Sequence, residues 1–304
     1  MKALSIILLL HQLLHLLLSF AFGFSSTTNV NVNVKGRSKS NSAMQQTAND
    51  SINPELRIRI RAERCPGTTK PIPSQEGTSP ITKLVHFQRH GEGYHNLLGD
   101  VLRTAGVTPS VDSFDPAINP WLRPEIVDSP LTETGKEQCR NQCELASKLT
   151  PELVIVSPLL RALQTAKISF GACYPTVTTK SIPWIAHEGC REETGVLVCN
   201  KRRPLSQIVS DYPEIQFEAM TEEDTLFNPS KRETGDSKSK RIYEFLKYLM
   251  ARPENEIAVV GHSAWLFHML NEVVEVDDAD DALRSWFTTS EIRSIQLTFY
   301  PPTQ

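Results

Sequence analysis

"ITKLVHF", Ile81 to Phe87, runs directly into "QRHGEGYHN", Gln88 to Asn96, and this junction sets the architecture of the chain. The first part is short, apolar and rich in β-branched residues, the pattern of a buried strand. The second part packs Arg89, His90, Glu92 and His95 around Gly91 and Gly93. A solvated connection usually scatters Ser and Asp instead. An arginine beside a histidine at the end of an apolar strand reads as a reactive site.

The same arrangement recurs downstream. "ELVIVS", Glu152 to Ser157, reads as a second buried strand, and the helical "PLLRALQTAKISF" follows, with Pro158 in its first turn. "EIAVVGH", ending at His262, reads as a third strand ahead of the helix "SAWLFHMLNEVV". "IRSIQLTFY" near the end is a fourth. "SPLTETGKEQCRNQCELASKL" reads as a helix with Thr134 and Glu137 in a capping box. "KRIYEFLKYLMAR" reads as an amphipathic helix with Ile242, Phe245, Leu246 and Leu249 on one face. Leu97 to Pro130 is expected to be an extended loop with one helical piece, long enough to cover a site. "EVDDADD" reads as a solvated acidic turn.

Strands alternating with helices predict an α/β fold, three layers α/β/α around a mostly parallel central sheet. Sites in such sheets form outside the carboxyl ends of the strands. Arg89 with His90, Ser157 with Arg161, and His262 all stand at or just past such ends, so one pocket is expected to gather them.

Two arginines and two histidines in one pocket suit an anion. Arginine presents a planar fork of donors that matches phosphate oxygens. A neutral imidazole can attack phosphorus and carry the phosphoryl group covalently. The remaining cations then neutralise the equatorial oxygens during in-line transfer. A carboxylic acid nearby can protonate the leaving oxygen. Arginines supplying the charge leave no requirement for a metal, and no other cofactor is expected.

"QRHGEGYHN", "DSPLTETGKEQC", "VSPLLRALQTA" and "VVGHS" together resemble, in order, the signatures of the histidine phosphatase superfamily, the phosphoglycerate-mutase-like fold, over about Lys83 to Tyr300. The resemblance implies that His90 is the nucleophile and that Arg89 and Arg161 bind phosphate. It implies that Asn96 touches the phosphoryl group and that His262 donates to its oxygens. The "G…CNKRRPLS" run is similar to a subset related to fungal and plant mutase-like phosphatases.

The family places its acid on a glutamate between the second and third motifs. Here "HEGCREETGVLVCNKRRPLS" fills that place. Glu192 is the expected acid, with Glu188 the alternative. Lys201, Arg202 and Arg203 are candidates to hold a second anionic group of the substrate, against the plainer reading of a basic turn or internal ion pairs. His86 is expected to be a satisfied sheet histidine, His95 a loop-surface residue with lining of the pocket as the alternative, and Glu92 a group that orients pocket side chains rather than transferring a proton.

The start of the chain has a different character. "MKALSIILLLHQLLHLLLSFAFGF" carries one lysine, a leucine-rich run and a small-x-small pattern at Ser19 to Ala21, as a secretory signal peptide over residues 1–21 would. An uncleaved anchor is the alternative. Residues 25–49 are hydroxylated, basic and acid-free, as a plain linker behind an endomembrane or secreted signal would be; a presequence continuing to about residue 49, for the plastid of a complex-plastid alga, is the alternative. Residues 22–80 are expected to be disordered linker, and 81–304 the phosphatase domain. Six cysteines show no zinc spacing and are expected mostly as buried thiols.

A net charge of −3 argues against nucleic acid as a partner. The expected partner is a small phosphorylated substrate, with no membrane contact after signal cleavage. The leading expectation is a phosphomonoester hydrolase. A phosphoglycerate-mutase-type transferase and an inactive phosphate-binding or interaction module are the alternatives. "GHSAWLFHML" lacks the glycine-rich, basic continuation usual in the mutases, and Gly93 stands where the family commonly has Ser or Thr.

Overall fold

The computed structural model describes residues 58–64, 79–171 and 182–301. The signal-peptide and presequence readings, and Cys65 and Cys173, lie outside these residues.

In chain order the elements are β1 (Arg59–Arg64), β2 (Ile81–Arg89), α1 (Tyr94–Thr104), α2 (Glu133–Asn141), α3 (Cys143–Ala146), β3 (Leu153–Val156), α4 (Leu160–Ser169) and β4 (Trp184–Ala186). Then come α5 (Leu205–Asp211), β5 (Gln216–Phe217), α6 (Gly235–Ala251), β6 (Glu256–Gly261), α7 (Ser263–His268), β7 (Glu275–Val276), α8 (Asp281–Arg284) and β8 (Ile292–Tyr300). The strands described form one sheet in the order β5-β4-β3-β6-β2-β8-β1-β7. Pairing is parallel except where β8 runs antiparallel to β1 and β2.

The central strands are buried along their length, as expected of parallel strands covered on both faces. Their alternate residues feed two cores. Val85, Phe87, Ile155 and Val259 pack with Ile242, Phe245 and Leu246 of α6. Val154, Val156, Ala258 and Val260 pack with Ala162, Leu163 and Ala166 of α4. The sheet therefore lies between two helical layers, the α/β/α arrangement read from the sequence.

β1 corrects the expected linker 22–80. Residues 59–64 are a strand paired in register with β8, from Arg59 opposite Tyr300 to Arg64 opposite Ile295. "IRIRAER", Ile58 to Arg64, alternates apolar with polar residues, the period of a strand with one face in a core. Ile60 and Ala62 are buried while Arg59 and Arg61 are exposed. The high basic content hid a pattern that was present.

Three smaller expectations are also revised. The segment after the RHG motif is helical to Thr104, with short 3-10 turns at Pro120–Leu122 and Pro124–Ile126. The cap of α2 is Thr132, whose Oγ accepts from the Gly135 N–H, not Thr134. In the acidic run, Glu275 and Val276 pair with β1, and Asp280 caps α8 by accepting from the Leu283 N–H.

Candidate active site

Register brings the reactive residues to one level. Arg89 pairs with Gly261 across β2 and β6, and Val156 pairs with Val260 across β3 and β6. Just beyond, the His90 N–H donates to the Gly261 carbonyl at 3.0 Å and the Ser157 N–H to the Val260 carbonyl at 3.0 Å. His90, His262 and Ser157 thus emerge side by side. The His90 and His262 rings lie 5.1 Å apart between centroids.

His90 is almost wholly buried, and its Nδ1 lies 2.6 Å from the Gly91 carbonyl. A carbonyl only accepts, so Nδ1 carries the proton and Nε2 is the lone-pair nitrogen. Burial first, then the nearby Arg161 and Arg89 charges, holds this imidazole well below its ordinary value. It is neutral at pH 7, the form able to attack phosphorus.

The glycine after His90 has a steric origin. A Cβ at Gly91 would meet the Gly135 carbonyl oxygen at 2.5 Å and the Cys139 sulfur at 2.8 Å. A Cβ at Gly135 would come within 2.0 Å of the Glu92 oxygen. The loop and the first turn of α2 press backbone against backbone. Thr165 Oγ1 accepts from the Gly91 N–H, and Glu92 accepts from Thr132 Oγ1 at 2.6 Å, so Glu92 orients the loop as expected.

Arg161, on the first turn of α4, is fully buried. Its fork is aimed by two acceptors, the Cys199 carbonyl and Asn200 Oδ1, each at 2.8 Å. Arg89 donates from Nη1 to the Phe287 carbonyl at 2.7 Å. Burial pulls both guanidinium groups down from their ordinary value, yet each remains charged. Arg89 Nε, Arg161 Nε and His262 Nδ1 are buried with no hydrogen-bond partner among the described residues. Buried polar atoms are normally paired, so this cluster keeps hydrogen-bonding capacity that an anion would use. His262 Nε2 is held 2.7 Å from Ser157 Oγ.

The glutamate-rich segment separates into three roles. Glu192 sits at the start of α7, immediately past His262: Oε1 accepts from the Trp265 N–H and Oε2 from the Ala264 N–H. It acts electrostatically on both Arg89 and Arg161. Glu193 pairs with Arg232 and Lys238. Glu188 pairs with Arg191 at 2.8 Å and Arg202 at 2.9 Å.

Three expectations are therefore corrected: Arg202 and Arg203 as substrate contacts, and Glu188 as the alternative acid. Arg202 is buried, and its donors go to Glu188 and to the carbonyls of Arg203, Glu222, Thr221 and Glu223. Glu188 is bound up in the same network. The plainer reading of internal ion pairs describes both, because a charge so deep must be matched locally. Arg203 likewise pairs with Asp128 and Asp211. Asn96 Oδ1 reaches back to accept from the N–H of Gly93, the N-cap of α1.

Several site residues escaped the sequence reading. Arg191 grips Asp224 bidentately and donates to the Asn200 carbonyl, which steadies the residue that aims Arg161. Arg241 on α6 donates to the carbonyls of Gly189, Arg191 and Glu192. The carbonyls that Arg241 meets and the Asp224 that Arg191 grips are remote in sequence, so no local motif joins them. His95 is not loop surface. It is buried on α1, with its ring 5.4 Å from that of His90. Its helical spacing from Leu98 and Leu102 was the available signal. His86 is a satisfied sheet histidine, bonded to Glu256 and Ser294.

A mostly parallel α/β sheet with buried arginines and imidazoles at its carboxyl edge defines a phosphate-handling class of protein. The match is specific: residues 125–293 fit the model of the histidine phosphatase superfamily, branch 1, and the chain belongs to that superfamily. Arg89 and His90 precede the matched span and are tied to it through β2 and β6. A "phosphoglycerate mutase-like protein" of Arabidopsis thaliana is 32% identical over 240 residues, 71% of this chain and 84% of the relative. A "probable phosphatase" of Schizosaccharomyces pombe is 24% identical over 208 residues, 67% of this chain and 84% of the relative. Among solved structures, phosphoglycerate mutase from Bacillus anthracis overlays with a TM-score of 0.45 at 14% identity, covering 74% of this chain and 94% of that one.

Proposed function

We propose that the protein hydrolyses phosphomonoesters through a phosphohistidine on His90. The observation that carries this reading is the fixed tautomer of His90. With Nδ1–H committed to the Gly91 carbonyl, Nε2 is a neutral nucleophile beside two guanidinium groups. Arg89 and Arg161 hold the phosphoryl oxygens, and His262 stabilises the charge that builds on them during transfer. Glu192 is the carboxyl that protonates the leaving oxygen and then activates water. Glu188 and Glu193 are withdrawn from that task by their ion pairs, whereas Glu192 lies beside His262 and faces both phosphate-binding arginines electrostatically. The arginines supply the positive charge, so the reaction proceeds in EDTA.

The test is hydrolysis of p-nitrophenyl phosphate by the full chain in EDTA, beside His90→Ala, with acid-quench trapping of a phosphoenzyme. Activity and an acid-labile phosphoenzyme in the wild type, both absent from the variant, support the reading. Activity that persists in His90→Ala ends it. A parallel incubation with 3-phosphoglycerate separates hydrolysis from phosphoryl transfer to a second acceptor.

A further inference from the structure

His95 stands on the second residue of α1 with its ring buried and 5.4 Å from that of His90. Nδ1 is anchored 3.0 Å from Ser129 Oγ, while Nε2 has no hydrogen-bond partner among the described residues. Its backbone is pinned as well: Trp121 Nε1 donates to the His95 carbonyl at 2.9 Å, and the neighbouring Tyr94 N–H donates to the Pro130 carbonyl. Such bracing on two sides fixes the ring beside the nucleophile.

Gly93 makes room for it. The residue has φ −100, a conformation open to any amino acid, so glycine is not needed there for backbone freedom. What it supplies is space. A Cβ at position 93 would lie 2.7 Å from His95 Nδ1 and 2.8 Å from its Cε1. The glycine at 93 and the imidazole at 95 are thus sterically linked: a side chain at position 93 would force the His95 ring to move.

We propose that His95 is a third imidazole of the phosphoryl site, donating from Nε2 to an oxygen of the phosphate that His90 attacks, in space that Gly93 leaves open. The inference rests on the phosphohistidine reading above. A phosphate dianion nearby favours the tautomer with the proton on Nε2, in which the Ser129 hydroxyl donates to Nδ1. Burial, then the charges of Arg161, His90 and Arg89, holds the ring well below its ordinary value. His95 therefore donates as a neutral group and adds no charge to a site already supplied by two arginines. Position 95 becomes a substrate-contacting residue.

The deciding experiment measures inorganic phosphate binding to the full chain by calorimetry, beside p-nitrophenyl phosphate kinetics and thermal melting. The variants are His95→Phe, His95→Gln and Ser129→Ala. Loss of one hydrogen bond to an anion is expected to weaken phosphate binding about 10- to 100-fold in His95→Phe. His95→Gln, whose amide can donate in its place, is expected to stay within about threefold. Unchanged phosphate affinity in a folded His95→Phe overturns the proposal and makes His95 a packing residue. Should that variant fail to fold, Ser129→Ala decides: a packing role lowers the melting temperature alone, whereas the proposed role also weakens phosphate binding. Because binding is read without turnover, a wild type that binds phosphate but does not hydrolyse esters defeats the hydrolase reading alone. A wild type that does neither defeats both.

Discussion

His90 Nδ1 and the carbonyl of its own neighbour, Gly91, lie 2.6 Å apart, and this one contact determines which nitrogen of His90 carries the proton. On the proposed mechanism the nucleophilic nitrogen, Nε2, is set by backbone geometry rather than by a second side chain. Its neutral form is required for attack, and burial with two flanking arginines keeps it neutral. The acidic limb of kcat/KM attributable to His90 is therefore expected below pH 6.5. A pH–rate profile on p-nitrophenyl phosphate checks this, and an acidic limb above pH 7 would refute it.

Stability should depend on pH in the same direction. His90, His95 and His262 are held well below 6.5, and His268 is pushed down to about 4, each chiefly by burial. The unfolded chain then binds protons that the folded one refuses, so stability rises with pH across this range. It is complete above about pH 6.5 and is lost progressively as the pH falls toward the folded values. Melting temperatures from pH 8 to pH 5 should fall below pH 6.5, with a shallower slope in His268→Gln.

Glu192→Gln should discriminate between leaving groups. Nitrophenolate departs without much help from a proton, whereas an alkoxide needs one. In kcat/KM, which reports phosphoryl transfer to His90 and not the later attack of water, an alkyl phosphate should lose about 10²- to 10⁴-fold. p-Nitrophenyl phosphate should lose far less. Equal losses on both substrates would remove Glu192 from the role of acid.

Arg202→Ala should damage the fold and not the affinity. It leaves Glu188 and four carbonyls without their buried guanidinium partner. Breaking such a buried pair costs about 3–5 kcal/mol. Denaturant midpoints should drop sharply, while KM of the surviving folded fraction stays near that of the wild type. A raised KM with an unchanged midpoint would return Arg202 to the substrate.

Gly135→Ala tests the contact between α2 and the catalytic loop. Its Cβ would meet the Glu92 oxygen at 2.0 Å, so one backbone must move. Overpacking of this kind costs about 1–3 kcal/mol, and the displaced loop carries His90. Both the melting temperature and kcat are expected to fall. A variant with wild-type kcat would show that the loop tolerates the shift.

Much of this molecule could be read from the sequence. The period of the strands, the helices between them and the reactive residues at strand ends are local patterns, since burial on two faces demands continuous apolar runs. Arg89, His90, Arg161 and His262 could be named because each follows such a run. β1 was legible too, in the alternation of "IRIRAER", but its arginines outweighed its period.

What the tertiary structure alone decided is how the charged groups are shared out. Nothing local distinguishes Glu188, Glu192 and Glu193. The first meets Arg191 and Arg202, the third meets Arg232 and Lys238, and the second meets the start of α7 beside His262. His95 passed from expected surface to buried neighbour of His90 for the same reason. Periodicity records which residues leave water, because that choice is made within one element. Partnerships between buried charges depend on distance across elements far apart in the chain, and only the folded sheet sets those distances.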